Sequence, residues 1–319
     1  MHQPIFTISL DFELHWGRFD KYDIKQYHNY YKNTVELVIP HLLELFHKYQ
    51  IQATWATVGI LMAENEEEWG TFIPECKPLY ANQKLSPYAW LGQQEHPAPV
   101  ALFAPQLVKQ ILSLPTQELA SHTFSHFYTC ESEQNNIAFE QDLIAAKNIA
   151  KQKFNTNLES LVFPRNQYNT QALNTAESLG FTSYRSNPED WFWKNTEHET
   201  LIKKLFRTGD TLVSLGNKTS YKIPKKAENQ ILALPASRLL RPFRKIESLQ
   251  QIRVAKITNE MTHAAEQQEV YHLWWHPHNF GHFPKENLLF LEKILKHYTQ
   301  LSQSHNMRSL SMKNTTQLV

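Results

Sequence analysis

The sequence predicts one α/β domain with a largely parallel β-sheet, open or closed. Short runs of β-forming residues alternate along the chain with longer segments of helical periodicity, as expected of parallel strands joined by helices. The length of 319 residues suits one large domain, and no repeat, linker or low-complexity stretch divides it. We therefore expect a single domain over residues 1–319, with an irregular insertion at about 64–105.

Strands are expected where apolar and β-branched residues form short runs, at 5–10, 53–58, 118–121, 161–163, 181–185, 231–234, 270–275 and 308–310. Helices are expected from apolar periodicity at 30–49, 135–153, 170–179, 246–267 and 285–301. Pro40 is expected to kink the first helix, and Gly180 closes the third. Prolines punctuate 64–105, which is typical of a lid or binding loop over one face.

Composition argues against several classes of function. The eight glycines lie at least seven positions apart, so neither GxGxxG nor GxxxxGK[ST] occurs, which disfavours a glycine-cradled nucleotide site. A net charge of +1 leaves no broad footprint for nucleic acid. Cys76 and Cys130 form no CxxC motif and no disulfide framework. With no basic leader and no apolar run near 18 residues, we expect a cytoplasmic protein without an integral membrane segment.

One short basic cluster stands out, formed by Arg238, Arg241, Arg244 and Lys245. Apolar residues and a proline interrupt it. This pattern favours an amphipathic turn with solvated arginines. The alternative is a contact with an anionic substrate.

Polar residues follow the predicted strands at five places, which are Asp11 with Glu13, His122 with His126, Arg165 with Tyr168 and Asn169, Asp190 with Trp191, and His276 with His278. In α/β folds the carboxyl ends of the strands form the edge where ligands bind and catalytic residues converge. The five clusters together therefore predict one site at this edge.

The first two clusters fit a metal centre. His122 and His126 are four positions apart, so one helical face or turn brings both imidazoles to one ion; a hydrogen-bonded or exposed pair is the alternative. Asp11 and Glu13 alternate along a strand and share a side, so the two carboxylates need a cation, a donor or a proton between them. One carboxylate with two histidines leaves metal positions for water, and the other carboxylate can act as general base. An acid that caps the next helix or pairs with Arg18 is the alternative.

His276 ends a strongly apolar strand, where it can protonate a leaving group, particularly if Asp190 raises its pKa. The alternative is a histidine at the edge of the core. Tryptophans crowd the same edge and can form either a wall that stacks on sugars or part of the core, and they are Trp16, Trp191, Trp193, Trp274 and Trp275.

In their order, these clusters resemble the motifs of the polysaccharide deacetylase (NodB homology) family, carbohydrate esterase family 4. The first motif of the family is a strand that ends in TFDD, and SLDFE at 9–13 is similar to it; the second, H[ST]xxH, is matched in full by HTFSH at 122–126. The third motif, RxxY[GN], is similar to RNQYN at 165–169, and the fourth, DxxDW, is similar to NPEDW at 187–191. The fifth motif is a strand that ends in histidine, and LWWH at 273–276 is similar to it. The resemblance runs along nearly the whole chain.

The resemblance implies a distorted (β/α) barrel of about seven parallel strands. It also implies a metal-dependent hydrolase that removes an N-acetyl or related N-acyl group from an amino sugar in a glycan or glycan precursor. Asp11 would activate water, with Arg165 orienting it and holding it ionised, and Asp190 would tune the general acid His276. A divalent metal, usually zinc in this family, would be held by Glu13, His122 and His126. We expect substrate contacts at Tyr168, Trp191, Trp275 and His278.

The sequence departs from the family pattern at several positions. Phe12 stands where common members carry the metal-binding Asp, and Glu13 follows one position later. Asn187 replaces the first acid of the fourth motif, and the prolines that often follow the arginine of the third are missing. His278 is the alternative to His276 as general acid. Two other functions remain as alternatives: hydrolysis of another C–N bond, such as a formamide or cyclic amide, and carbohydrate binding without catalysis.

Overall fold

A computed structural model describes residues 3–94, 99–131, 136–194, 200–213, 215–216, 219–225 and 230–319. The strands in this part of the chain are β1 (Ile5–Phe12), β2 (Ala53–Thr57), β3 (Glu118–Ser121), β4 (Ser160–Leu161), β5 (Ser183–Ser186), β6 (Leu232–Pro235), β7 (Arg238–Leu239), β8 (Val270–Trp275) and β9 (Arg308–Ser309). They form one sheet in the order β6-β5-β4-β3-β2-β1-β8-β7, and β9 pairs with the start of β1.

The sheet is a parallel half-barrel with eight strands on its main path. Its two edge strands, β6 and β7, are successive parts of one segment. Between them, Ala236 N donates to Ser186 O at 2.9 Å and Ser237 N donates to His272 O at 2.8 Å. This segment therefore joins the two edges of the sheet. The predicted α/β barrel is confirmed, although β7 was not predicted, because Arg238 and Leu239 lie in the basic cluster that the sequence pattern assigned to an amphipathic turn.

The helices are α1 (His28–Asn33), α2 (Ile39–Lys48), α3 (Glu66–Phe72), α4 (Pro87–Leu91), α5 (Pro105–Leu112), α6 (Asn136–Phe154), α7 (Thr170–Ser178), α8 (Trp191–Lys194), α9 (Leu201–Gly209), α10 (Glu247–Gln267), α11 (Pro284–His305) and α12 (Met312–Thr316). A π-helical turn at Thr34–Val38 joins α1 to α2 just before Pro40, where the sequence predicts a kink. Position 135, the predicted start of α6, lies outside the described residues. Of the helices described, none is both long and apolar enough to cross a bilayer.

Alternation along β1 and β8 decides which side chains face the site and which face the core. In β8, His272 and Trp274 point to the same side as His276, which directly follows the strand. Trp275 points to the other side, where its ring stacks on Phe280 at 5.9 Å between centroids, and it is fully buried. The predicted substrate contact at Trp275 is therefore wrong, because a period of two places this residue in the core.

The insertion at 64–105 supports the loop that follows β1. Trp90 packs its ring on His15 at 5.0 Å and on Trp16 at 5.7 Å between centroids. Trp16 Nε1 in turn donates to Leu102 O at 2.8 Å. The insertion contains α3 and α4 as well as irregular backbone. These contacts pack the insertion against the loop that follows β1 and hold that loop in place.

Replacing Trp275 by Ala should lower the free energy of unfolding by about 3–5 kcal/mol, because a fully buried ring leaves a cavity. Trp191, which is 54% exposed, is the control; its replacement by Ala should change the free energy by about 0.5 kcal/mol or less. Urea unfolding followed by circular dichroism measures both. Equal losses in the two variants would contradict the assignment of Trp275 to the core.

Candidate active site

The carboxyl ends of β1, β3 and β8 bring together the first, second and fifth polar clusters of the sequence. β1 and β8 pair in register, Leu10 opposite Trp275, so Asp11 and His276 follow at the same level. Asp11, Glu13, His122 and His126 are all buried, and the side chain of His276 is 25% exposed.

Glu13, His122 and His126 form a compact set of three potential metal ligands. Glu13 Oε2 lies 3.2 Å from His122 Nε2 and 3.0 Å from His126 Nε2. His122 Nδ1 lies 2.8 Å from the carbonyl oxygen of Val162, which can only accept, so Nδ1 carries the proton. In a neutral ring the Nε2 lone pair then points at a carboxylate oxygen, an arrangement that calls for a cation between them. One carboxylate and two imidazoles suit zinc, and the hydrogen bond to Val162 is the outer support that metal-binding histidines usually have.

Burial alone would raise the pKa of Glu13, but the neighbouring histidines outweigh it and hold this pKa well below its usual value. Burial lowers the pKa of His126, which favours its neutral form. Both directions favour the protonation states that metal binding would require, an ionised carboxylate and a neutral imidazole.

A glycine makes room for the Glu13 carboxylate. A Cβ at Gly17 would lie 1.9 Å from Glu13 Oε1, well inside any real contact. The chain turns back after β1, with Leu14 at a φ of +45° and Trp16 N donating to Glu13 O at 2.9 Å. This turn places Gly17 directly against the side chain of Glu13.

The two histidines of HTFSH are brought together by an irregular loop, not by a helix. Thr123 and His126 adopt left-handed φ values of +62° and +56°. Asp142, from the buried face of α6, accepts hydrogen bonds from Phe124 N at 2.6 Å, from Ser125 N at 3.1 Å and from the Ser125 hydroxyl. Burial raises the pKa of Asp142 to about 7. Sequence reasoning missed this residue, although an acid on the apolar face of a predicted helix was a signal for it.

Asp11 is held by Arg185, not by Arg165. Arg185 Nη1 and Nη2 donate to the two carboxylate oxygens of Asp11 at 2.6 and 2.8 Å. Burial raises the pKa of Asp11, but the guanidinium outweighs it and lowers this pKa below its usual value. Arg165 instead donates to Asp20 at 2.8 Å. The predicted contact between Arg165 and Asp11 is wrong because Arg185 reaches the barrel interior from β5, whereas Arg165 lies in the loop after β4.

A polar chain inside the barrel supports Arg185. Its Nη1 also donates to Ser9 Oγ at 3.1 Å, and its Nη2 donates to Asn166 Oδ1 at 2.8 Å. Ser9 Oγ lies 2.8 Å from His272 Nε2, and burial lowers the pKa of His272 to about 3, so this ring is neutral. The guanidinium lies 4.1 Å from the ring centroid of Trp274. These contacts fix the position of the Arg185 guanidinium, and through it the position of Asp11.

His276 borders both acids. Its Nε2 lies 3.6 Å from Asp11 Oδ2 and 3.5 Å from Glu13 Oε1, and among the described residues these are the carboxylates within 4 Å of it. Asp190 Oδ2 lies instead where a Cβ on Gly216 would be 2.4 Å away. The predicted pairing of Asp190 with His276 is therefore wrong, because the loop after β5 carries this carboxylate elsewhere.

His278 is nearly sealed against Tyr30 and Tyr31, with ring centroids 5.9 and 6.5 Å away. Its Nε2 lies 3.9 Å from Glu13 Oε1, and burial lowers its pKa to about 3. His276, which is more exposed, is better placed than His278 to meet a substrate.

Two clefts meet at Glu13 and His276, with volumes of about 720 and 570 Å³. Trp193 and Trp274 line the larger one.

The predicted substrate contacts Tyr168 and Trp191 do not line either cleft. The Tyr168 hydroxyl accepts a hydrogen bond from Asn187 N at 3.2 Å. Trp191 packs on Phe206 outside the cleft. Described residues of 64–105 are likewise absent from both linings, so the expectation that this insertion forms a lid is not met there.

A family model described as polysaccharide deacetylase matches residues 23–184, about half of the chain, and the chain belongs to this family. The match includes His122 and His126 and ends just before Arg185. No curated protein matches the chain in sequence.

Several solved structures share the fold. A protein of Mycobacterium smegmatis described as a polysaccharide deacetylase superposes with a TM-score of 0.63 at 9% identity, covering 100% of this chain and 90% of that one. PuuE allantoinase superposes with a TM-score of 0.58 at 10% identity, covering 98% and 89%. A protein of Pseudomonas aeruginosa PAO1, also described as a polysaccharide deacetylase, gives 0.58 at 9%, covering 98% and 89%. At these identities the likeness shows the fold alone.

Replacing Gly17 by Ala should weaken Zn²⁺ binding by about tenfold or more, because the new Cβ displaces the Glu13 carboxylate. Isothermal titration calorimetry with zinc measures the affinity. Gly70→Ala is the matched control, since a Cβ at Gly70 in α3 meets nothing within 4 Å and should leave zinc affinity unchanged. Equal affinities in the parent and the Gly17 variant would contradict this account of the site.

The parent should lose stability relative to an Asp142→Asn variant as pH rises from about 4 to 7. In that window the folded state keeps the Asp142 proton, with a pKa of about 7, while the unfolded state releases it near 3.8. The stability lost in this way is at most about 4 kcal/mol, the free energy that corresponds to the difference between the two pKa values, and the full loss is reached only above pH 7. Urea unfolding at several pH values measures the difference between the two proteins. A difference that stays constant from pH 4 to 7.5 would refute the raised pKa.

Proposed function

We propose that the protein is a metal-dependent hydrolase that removes the N-acetyl, or a related N-acyl, group of an amino sugar in a glycan or glycan precursor. The observation that carries this proposal is the meeting of two differently supported carboxylates in one cleft. Asp11 is held by a guanidinium, while Glu13 faces two imidazoles, and both border His276. A water activated between these groups would attack an amide carbonyl.

Glu13, His122 and His126 would hold a divalent cation, with zinc the best match to one oxygen and two nitrogen ligands. A cation bound there would polarise the amide carbonyl and acidify a bound water. The tautomer that Val162 imposes on His122 leaves Nε2 free to coordinate. Gly17 leaves the space that the Glu13 carboxylate needs.

Asp11 would take the proton of the attacking water. Its lowered pKa keeps it ionised at neutral pH, as a base must be, and the bidentate contact with Arg185 fixes its orientation. His276 would deliver a proton to the leaving amine nitrogen. Its Nε2 lies on the same side as both carboxylates and is partly exposed to the cleft, where a substrate can reach it.

Cleft size favours a sugar over a small cyclic amide. The larger cleft measures about 720 Å³, is open to solvent, and continues past Glu13 into the second one. Trp193, which is partly exposed at this cleft, offers a ring surface of the kind on which sugars pack. Hydrolysis of another C–N bond is the second candidate, because one of the structures with this fold is an allantoinase.

Acetate release from a panel of neutral and acidic N-acetylated saccharides tests the proposal. Asp11→Asn in zinc-loaded protein should lower kcat by about 100-fold or more through loss of the general base, with zinc content unchanged. Asp23→Asn is the control: Asp23 is exposed and caps a helical turn, a role that Asn fills equally well, so kcat should stay within about twofold.

Full activity of a zinc-loaded Asp11→Asn protein would refute the mechanism. Hydrolysis of formamides or cyclic amides, without acetate release from any saccharide, would establish the second candidate. Saccharide affinity in a protein that retains no divalent metal would identify a carbohydrate-binding protein without catalysis.

A further inference from the structure

Within the part of the chain that the structure describes, one arginine at the larger cleft has no acidic partner. Arg241 follows β7 and lines this cleft together with Trp274 and His276. The charged groups that act on it are other arginines, and its buried Nε meets no hydrogen-bond partner among the described residues. Other arginines of the barrel are paired: Arg185 with Asp11, and Arg238 with Asp210 and Glu260.

The surroundings of Arg241 are strongly cationic. Burial, followed by repulsion from Arg253, Arg244 and Arg207, lowers its pKa to about 10, so it still carries a full charge at neutral pH. Like charges held together in a partly buried place repel one another. An anion bound beside Arg241 would relieve this repulsion and satisfy the unpaired donor.

Cations also come from the other walls of the cleft. Lys21 reaches it from the loop after β1, and Lys204 and Arg207 reach it from α9. The Arg207 guanidinium lies 4.5 Å from the ring centroid of Trp193, so charge and aromatic surface occur side by side. A sugar ring that carries an anionic substituent would meet both features at once.

We propose that Arg241 forms a subsite for an anionic oxygen group, a carboxylate or a phosphate, carried by the saccharide whose amide is hydrolysed. This inference rests on the proposed function and narrows it to acidic amino sugars or sugar phosphates. A planar guanidinium can donate two parallel hydrogen bonds to either group. The basic cluster in the sequence thus contains one structural arginine, Arg238, and one ligand-binding arginine, Arg241.

Kinetics with three substrates that share one amide test the subsite: N-acetylglucosamine, its uronic acid and its 1-phosphate. Arg241→Gln should lower kcat/KM for an anionic substrate by about 10- to 100-fold, mainly through KM, as expected from losing a charge-assisted hydrogen bond. The neutral substrate should change by less than about twofold. Of the uronic acid and the 1-phosphate, the substrate whose kcat/KM falls more in the Arg241→Gln variant shows whether the subsite prefers a carboxylate or a phosphate. Arg253→Gln is the matched control, because Arg253 is one of the arginines that repel Arg241 but does not line the cleft, and this change should leave kcat/KM for all three substrates unchanged.

Binding gives a readout that does not need catalysis. In an Asp11→Asn background, titration with glucose 1-phosphate and with glucuronate should show an affinity that Arg241→Gln lowers by about tenfold or more. If no saccharide is deacetylated but this dependence persists, the proposed function fails and the anion subsite stands. Equal anion affinity with and without Arg241 would overturn the subsite, as would equal losses on neutral and anionic substrates.

Discussion

The buried ion pair between Arg185 and Asp11 is the contact on which the rest of the site depends. Burial pushes a carboxyl toward its protonated form, and Asp11 stays ionised inside the barrel chiefly because a guanidinium meets both of its oxygens. Removing one partner of such a pair leaves an uncompensated buried charge. The pair joins β1 to β5 across the interior, and so it fixes the Asp11 carboxylate, the proposed base, relative to the rest of the sheet.

Around this pair, strand alternation sorts the side chains. Ser9, Asp11 and Glu13 alternate along β1 and its continuation, and His272, Trp274 and His276 do so along β8. Each row therefore begins with a residue of the polar chain that supports Arg185 and continues to the cleft, where the proposed base and metal ligand lie on the first row and the proposed general acid lies on the second. The intervening residues, such as Leu10 and Trp275, pack into the core. The segment that joins the two edges of the sheet then leads Arg241 to the same cleft.

The loops at this edge adopt backbone conformations that most residues avoid. Thr123, His126 and Arg165 all have positive φ values, each of which costs on the order of 1 kcal/mol or more. Asp142 offsets part of this cost by accepting three hydrogen bonds from the HTFSH loop. Gly17 is required for a different reason: its φ is not positive, and what matters is that it has no Cβ. One of the eight glycines of the chain therefore lies where the Glu13 carboxylate occupies the space that a side chain would fill.

The α/β class and the residues at the strand ends could be predicted from the sequence by itself, because both follow from spacing within a few positions. Asp11, Glu13, His122, His126 and His276 each sit just beyond a run of β-forming residues, and parallel pairing brings such ends to one edge. The alternation that separates Trp274 from Trp275 was also local, and was open to the same reasoning.

Only the tertiary structure decided which distant partners meet. Arg185 is 174 positions from Asp11, and the sequence does not show which acid this arginine at the end of a predicted strand meets, whereas Arg165 lies in a recognisable motif yet pairs with Asp20. The same holds for Asp142 under the HTFSH loop and for Arg241, beside which the folded chain, in its described residues, places other arginines and no carboxylate. Sequence periodicity reports which face a residue occupies on its own element. It carries no information about which element packs opposite, and that choice determines the charge each buried group meets.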